Sequence, residues 1–286
     1  MKKSALVIIA LTSIVGSASA QDFLAVNNLA GTNGYTADGA DQLINFNFGT
    51  AAWAPVSGDG GIRLASGAPV NGFGGLDYNH ATGALYGATA FGANAGNLYQ
   101  INPSNGQATL LGSTGVPLND MAWDSVSGMM YGTSGNALYS VSLVNGATNL
   151  VGVYSVAGML EVGLGFDSRG HVHVHDIVTD AIYVGTAPGS TNLALLHGTG
   201  STNFSQGLFV DWTNDTGYHA ALNPDTLASP NYTYTLAGGS YTFQSVFGTA
   251  GNGLPQVEAG DLTRLIPAPG ALAILGLGGL IARRRR

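Results

Sequence analysis

The chain has 286 residues, of which 44 are glycine, 9% are charged and none is cysteine. The scarcity of Glu and Lys excludes a largely helical protein, and the lack of cysteine excludes disulfides and a lipid-attachment cysteine. Six of the nine basic residues lie in the first three or last four positions, which leaves three cations against 16 acidic residues. The region between the termini therefore has a formal charge near −13. Such a surface repels phosphate backbones, so we expect no nucleic-acid partner.

The N-terminus has the three parts of a secretory signal peptide. Lys2 and Lys3 form a short basic region, an apolar stretch follows, and Ala18 and Ala20 form an A-x-A cleavage site. The sequence therefore predicts a signal peptide over residues 1–20 and a mature chain that begins at Gln21. Export through the secretion machinery follows from this reading.

The body of the chain is an imperfect repeat of short strand-like runs separated by glycine-rich turns. Four aromatic residues, spaced by 45, 43 and 46 positions, mark the repeat: Tyr78, Trp123, Phe166 and Trp212. A period of 40 to 46 residues with about four strands per unit is typical of a β-propeller. We predict an all-β propeller of about five or six four-stranded blades over residues 21–262. An open β-solenoid or a β-sandwich is the alternative fold.

The second half of each unit also repeats, and it contains a turn signal. Asn105-Gly106 and Asn145-Gly146 lie at matching positions, where we expect positive-φ residues in tight hairpins. Residues 43–56 match the same element in a degenerate N-terminal copy. A sixth blade would form if residues 23–26 paired with a strand near Leu262. The units resemble the Leu-Tyr-x-Ile blades of secreted bacterial propellers, and this resemblance implies a fold but no activity.

Three histidines alternate along one predicted strand and form the most conspicuous chemical cluster. On a strand His171, His173 and His175 would share a face, where imidazoles can bind a transition metal. Asp176 or Asp167 is the candidate fourth ligand. These residues are the hypothetical metal site, with a divalent cation as the ligand.

A packing role competes with that metal site. Alignment of the repeats puts His173 in the position held by Tyr86 and Tyr131, where an aromatic ring separates two blades. Alternate strand positions i to i+4 also span about 13 Å, so one metal ion would not reach all three rings. On this reading the protein has no cofactor.

Two weaker candidates come from turns and loops. The carboxylates of residues 211–217 could bind calcium, although Asp and Asn in turns ordinarily bond their own backbone. The aromatic rings of Trp53 and Tyr35 could stack on sugars, or they could belong to the core.

The C-terminus carries a three-part signal after the repeats. Pro267-Ala268-Pro269 precedes an apolar stretch, and the chain ends with Arg283, Arg284, Arg285 and Arg286. The apolar stretch is close to the minimum length of a membrane-spanning helix, and cationic residues hold that end in the cytoplasm. Residues 263–286 resemble the sorting segment of the PEP-CTERM proteins, except that Ala268 replaces the usual glutamate. A plain C-terminal membrane anchor is the alternative.

The resemblance implies an exosortase-type processing enzyme as partner. It also implies a precursor anchored transiently in the membrane through a transmembrane helix over residues 266–282, and cleavage near Pro267–Pro269. We expect an exported, non-catalytic protein of the cell surface or exopolysaccharide matrix of a Gram-negative-type bacterium, acting structurally or as an interaction module. Extracellular polysaccharide is the candidate partner. The alternative is a propeller that binds carbohydrate or metal, or a metal-dependent hydrolase that uses the three histidines.

Overall fold

The computed structural model describes residues 22–27, 36–200, 207–221, 229–247 and 262–264, and these form five β-sheets. Each sheet contains four antiparallel strands that follow one another from an inner strand to an outer strand, so each sheet is one blade. Glycine-rich turns join short strands rich in Leu, Val, Tyr and Phe, as β-propensity favours.

The strands are numbered in chain order and grouped by blade. Blade 1 contains β1 (Asp22–Asn27), β2 (Gln42–Asn47), β3 (Trp53–Pro55) and β21 (Leu262–Arg264). Blade 2 contains β5 (Phe73–Asn79), β6 (Ala84–Thr89), β7 (Asn97–Ile101) and β8 (Gln107–Ser113), and β4 (Arg63–Leu64) pairs in parallel with β8. A 3-10 turn at Gly92–Asn94 lies between β6 and β7.

The remaining blades repeat this order. Blade 3 contains β9 (Asp120–Asp124), β10 (Met129–Ser134), β11 (Ala137–Val141) and β12 (Thr148–Val153). Blade 4 contains β13 (Glu161–Phe166), β14 (Val172–Asp176), β15 (Ala181–Gly185) and β16 (Leu193–Gly198). Blade 5 contains β17 (Gly207–Asp211), β18 (Thr216–Ala220), β19 (Ser229–Thr235) and β20 (Tyr241–Phe247).

The inner strands form a closed ring. β5 contacts β9, β9 contacts β13, β13 contacts β17, β17 contacts β21, and β21 contacts β5. The predicted β-propeller is therefore confirmed with five blades, and a closed ring is incompatible with an open solenoid or a sandwich. Closure leaves only short outer strands as free sheet edges.

Blade 1 joins the two ends of the chain. In its sheet β1 lies between β21 and β2, and Phe23 of β1 pairs with both Arg264 and Phe46. The predicted pairing of residues 23–26 with a strand near Leu262 is confirmed. It completes the first of five blades, however, so the expectation of a sixth blade is wrong. β2 and β3 confirm the degenerate N-terminal copy in residues 43–56.

One residue of the predicted repeat is misaligned. The marker position of each inner strand pairs with the first or second residue of the next strand. Tyr78, Trp123 and Phe166 occupy this position in blades 2, 3 and 4, and Val210 occupies it in blade 5. Trp212 lies two residues further on, in the turn after β17. The aromatic ring of Trp212, at the start of this turn, was therefore mistaken for the strand position that Val210 occupies.

The hairpin turns use glycine as predicted but not asparagine. Gly106 and Gly146 have φ of 72° and 80°, whereas Asn105 and Asn145 are not in the left-handed region. The amide of Gly106 donates to the carbonyl of Asn102, which closes a five-residue turn. A glycine is needed at the end of this turn because an L side chain there would be strained.

The core lies between the blades. The cluster between blades 2 and 3 contains Tyr86, Leu98, Met121 and Trp123, and equivalent apolar clusters fill the other interfaces. A buried carboxylate also joins inner strands, since Oδ2 of Asp77 accepts a 2.7 Å hydrogen bond from the amide of Trp123 in the next blade. Each blade thus buries both faces against its neighbours.

Candidate functional site

The candidate histidines lie on and just before β14, between blades 4 and 5. Val172 and Val174 point into the cluster shared with blade 3. Alternation puts His173 and His175 on the opposite face, where both are fully buried. His171 precedes β14 and remains partly exposed. The strand is therefore buried on both faces, with its valines toward one neighbouring blade and its histidines toward the other.

His173 occupies the predicted aromatic position between blades. Tyr86, Tyr131 and His173 pair respectively with Asp77, Ala122 and Gly165, each one residue before the marker position of the inner strand. The ring of Tyr131 packs on Phe166 of the next blade at 5.0 Å. In the same way the ring of His173 lies 6.0 Å from that of Tyr234 in blade 5. The role of His173 as an aromatic spacer is confirmed.

Asp167 organises the entry to β14. Its buried carboxylate accepts hydrogen bonds from the amides of Arg169 and His171, each at 2.9 Å, and from the Arg169 guanidinium. Nε2 of His173 lies 3.8 Å from the same carboxylate. Burial opposes ionisation of Asp167, but His173, Arg169 and the two amides outweigh it and lower its pKa. Burial also lowers the pKa of His173, and Asp167 only partly offsets this.

His175 meets a second histidine from the facing blade. The ring centroids of His175 and His219 are 4.4 Å apart. Nε2 of His175 lies 3.2 Å from the Thr199 hydroxyl, and Nδ1 of His219 lies 2.7 Å from the Tyr241 hydroxyl. Burial lowers the pKa of His175 to about 4 and that of His219 well below its usual value. Both rings are therefore neutral at neutral pH. We call His173, His175, His219 and Tyr234 the interblade histidine layer.

The three predicted metal ligands have three different surroundings. His171 lies beside Asp167, His173 packs on Tyr234, and His175 packs on His219. Across the described part of the chain, no group of three or more His, Cys, Asp or Glu side chains is arranged to hold a metal ion.

The turn at residues 211–217 uses its polar side chains on its own backbone and on a neighbouring turn. Oδ1 of Asp211 accepts from the amide of Thr213 at 3.0 Å. Asp215 accepts from the amide and hydroxyl of Ser168, at 3.1 and 2.9 Å, which joins the first turns of blades 4 and 5. These contacts are the ordinary turn chemistry that competed with a calcium site.

The mouth of the central channel offers little space. The rings of His80 and Trp212, from blades 2 and 5, meet there edge to face at 5.7 Å. The cavity beneath them, lined also by Asp77 and Phe166, has a volume of about 10 Å³. Such a volume accommodates about one water molecule. Trp53, the other aromatic candidate, packs against the cluster between blades 5 and 1, and Tyr35 lies outside the described residues.

Sequence reasoning missed two buried groups near this site. Glu161 begins β13 with both carboxyl oxygens buried. Burial, together with the charges of Asp120 and Asp176, raises its pKa well above the usual value, even though the Thr133 hydroxyl acts in the opposite direction. His219 was also missed, although it follows Tyr218, the blade 5 equivalent of His173, and alternation therefore turns it toward blade 4.

The two predicted sorting signals lie outside the described residues. These are the signal-peptide positions Ala18, Ala20 and Gln21, and the C-terminal segment from residue 265, with its Pro267–Pro269 motif and arginines. Within the part of the chain that the structure describes, no helix is long and apolar enough to cross a membrane.

Comparison with known proteins supports the fold alone. A chain of the crystal structure of a nidogen/laminin complex superposes with a TM-score of 0.52 and 10% sequence identity, over 86% of this chain and 98% of that chain. No protein-family model matches the sequence. No curated protein matches it either. The protein is thus similar in architecture to a chain of that complex, at an identity too low to transfer a function.

Proposed function

We propose that this protein is exported, sorted to the cell surface and non-catalytic, and that it serves the cell envelope or exopolysaccharide matrix as a structural or interaction module. One observation carries the proposal: the strand that closes the ring ends at Arg264, three residues before Pro267. Cleavage at Pro267–Pro269 by an exosortase-type enzyme would therefore leave all five blades complete. A removable sorting segment needs such a position beyond the last element of the fold.

Two further observations support the interaction class over the enzymatic one. The histidines best suited to chemistry are used as buried spacers between blades, and His173 has Tyr86 and Tyr131 as its equivalents. The similar solved chain comes from a nidogen/laminin complex, in which propeller architecture occurs in a protein–protein assembly. By this analogy the blades present surfaces to a partner, and the ring supplies a rigid frame.

Intact-mass measurement of the surface form tests the proposal. We expect a chain from Gln21 to the Pro267–Pro269 region, recovered from the cell exterior. A surface form that retains Arg283–Arg286 would overturn sorting by cleavage and favour a permanent anchor.

A matched pair of truncations tests the observation behind the proposal. A mature chain ending after Arg264 should unfold cooperatively like the processed form, because β21 remains. A chain ending at Asp261 should lose cooperativity, because the ring cannot close. Equal stability of the two truncations would contradict the role assigned to β21.

A further inference from the structure

Blade 5 contains a ladder of aromatic rings that runs from the interblade histidine layer to the rim of the propeller. At the buried end of the ladder, the hydroxyl of Tyr241 is hydrogen-bonded to Nδ1 of His219. The ring of Tyr241 stacks on that of Tyr232 with centroids 4.4 Å apart and planes inclined by 16°. Phe243 stands beside Tyr232 at 6.0 Å and 74°, and 55% of its surface is exposed. The exposed end, Tyr232 with Phe243, is called the rim platform.

The rim platform is a departure from the repeat. Phe243 pairs with Tyr232 across the two outer strands, and the corresponding pairs of blades 2, 3 and 4 are Tyr99 with Leu110, Tyr139 with Leu150, and Tyr183 with Leu195. Tyr241 is likewise replaced in those blades, by Ala108, Thr148 and Leu193. Blades 2 to 4 thus keep a tyrosine and an exposed leucine here, whereas blade 5 has three contiguous rings.

The ladder holds the rim platform in one conformation. Tyr241 is fixed by its bond to His219 and by packing against the apolar cluster between blades 4 and 5. Aromatic side chains have few rotatable bonds, and a ring already stacked on a buried neighbour loses little freedom on binding. The outer strand also bulges between Phe243 and Ser245, which turns Gln244 out of the regular pairing. Nε2 of Gln244 donates to the Thr233 hydroxyl at 2.9 Å, which fixes the bulged residue on the face of the sheet opposite to the two rings.

The chemistry around the rim platform selects its partner. Residues 229–247 contain no charged side chain, while the mature region as a whole is near −13. The negative charge of the mature region repels anionic polymers, and the strands that carry the rim platform have no charged side chain that could pair with a charged ligand. Two rings are also far smaller than the roughly 800 Å² per partner of a stable protein interface. They match instead the size of one or two sugar rings, whose apolar faces pack on aromatic side chains.

We propose that the rim platform of Tyr232 and Phe243 is a binding site for the pyranose rings of a neutral polysaccharide. The proposal rests on the proposed function, because it names the partner class of that interaction module.

Affinity electrophoresis of the full chain in mild detergent tests the site, with dextran, galactomannan and β-glucan as neutral probes and polygalacturonate as the anionic probe. We expect at least one neutral polymer to retard the protein and polygalacturonate to leave it unretarded. Phe243→Ala and Tyr232→Ala should each weaken binding roughly tenfold, the typical effect of losing a central aromatic contact. Phe243→Trp should retain binding. The matched control Leu195→Ala, at the same register in blade 4, should bind like the wild type.

Three results would overturn the proposal: retardation by none of the neutral polymers, equal retardation by polygalacturonate, or unchanged affinity of Phe243→Ala. Analytical ultracentrifugation adds a fourth, since a dimer that Phe243→Ala dissociates would assign the platform to a second copy of the chain. Circular dichroism and thermal unfolding of each variant identify any loss of binding that comes from misfolding. If Phe243→Ala is misfolded, the folded variant Phe243→Trp is the test: retained binding supports the rim platform, and lost binding contradicts it. Intact mass of the surface form is read separately. A surface form that retains the arginine tail contradicts sorting by cleavage but leaves the rim-platform proposal intact. Loss of polysaccharide binding in a correctly processed chain contradicts the rim-platform proposal but leaves sorting by cleavage intact.

Discussion

Mild acid should destabilise the ring through the histidines buried between blades 4 and 5. Burial lowers the pKa of His175 from 6.5 to about 4, even though Asp176 and Asp180 act in the opposite direction. Above pH 6.5 neither the folded nor the unfolded chain holds this proton. Between pH 6.5 and 4 only the unfolded chain takes it up, so stability falls as the pH falls through this window.

The size of the effect follows from the shift. Each pKa unit corresponds to about 1.4 kcal/mol, so His175 alone should lower the free energy of unfolding by about 2 kcal/mol between pH 7 and pH 5. The pKa of His219 is also lowered by burial and by the neighbouring His175, so its contribution has the same sign. A loss of this size is a substantial fraction of the stability of a typical domain.

Urea unfolding at pH 5, 6, 7 and 8, followed by tryptophan fluorescence, measures this dependence. His175→Leu removes one titrating group, so its stability should fall less steeply with acid than that of the wild type. Ile182→Val is the matched control in the same interface: it should lose about 1 kcal/mol at every pH and keep the wild-type slope. Comparing slopes cancels the change in overall charge repulsion that acid also causes. Identical slopes for the wild type and His175→Leu would refute the assignment of a buried neutral imidazole.

Two other substitutions probe contacts between and within blades. Gly217→Ala would put a methyl group against the buried ring of Tyr234, closer than any real contact allows, so we expect a loss above about 3 kcal/mol in chemical denaturation. Gly198→Ala, which meets nothing within 4 Å, is its control and should change stability by less than about 0.5 kcal/mol; similar values for the two would contradict the packing described. Asp77→Ala leaves the buried amide of Trp123 without its acceptor and should cost about 1–3 kcal/mol by the same measurement, whereas a neutral result would mean that water replaces the carboxylate.

The features that recur in the sequence were predictable, and those that arise between unlike blades were not. Alignment of the repeats placed Tyr86, Tyr131 and His173 in one register, because each blade solves the same packing problem with strands of similar length. The alignment failed at Trp212, which lies two residues after Val210, the residue of blade 5 that takes the marker position in the strand register. A periodic pattern also cannot reveal which side chains meet across an interface. The contact of His175 with His219 depends on the facing surfaces of two adjacent sheets, and the sequence of one repeat does not show which residue of the next repeat it meets.

The rim platform was hidden for a related reason. In the sequence Tyr232, Tyr241 and Phe243 are ordinary β-strand residues. A strand that is buried in the core would contain the same residue types, so the sequence alone does not mark them as a binding surface. Only the register of β19 with β20 shows that Phe243 replaces a leucine and remains 55% exposed. Departures from a repeat become informative once equivalent positions are known.

The pairing of Phe23 with Arg264 has a consequence for how the protein reaches its final form. Strands β1 and β21 of blade 1 are more than 230 residues apart in sequence, so the ring cannot close until the chain is complete through residue 264. Blades 2 to 5 can assemble from neighbouring segments, but β1 must wait with an unpaired edge, which is a slow and aggregation-exposed step. The same geometry makes the protein a good candidate for circular permutation: joining residue 264 to residue 22 and opening the turn at Asn145-Gly146 would convert the last pairing to form into a local hairpin. Such a permutant would assemble its first blade early and keep the same ring.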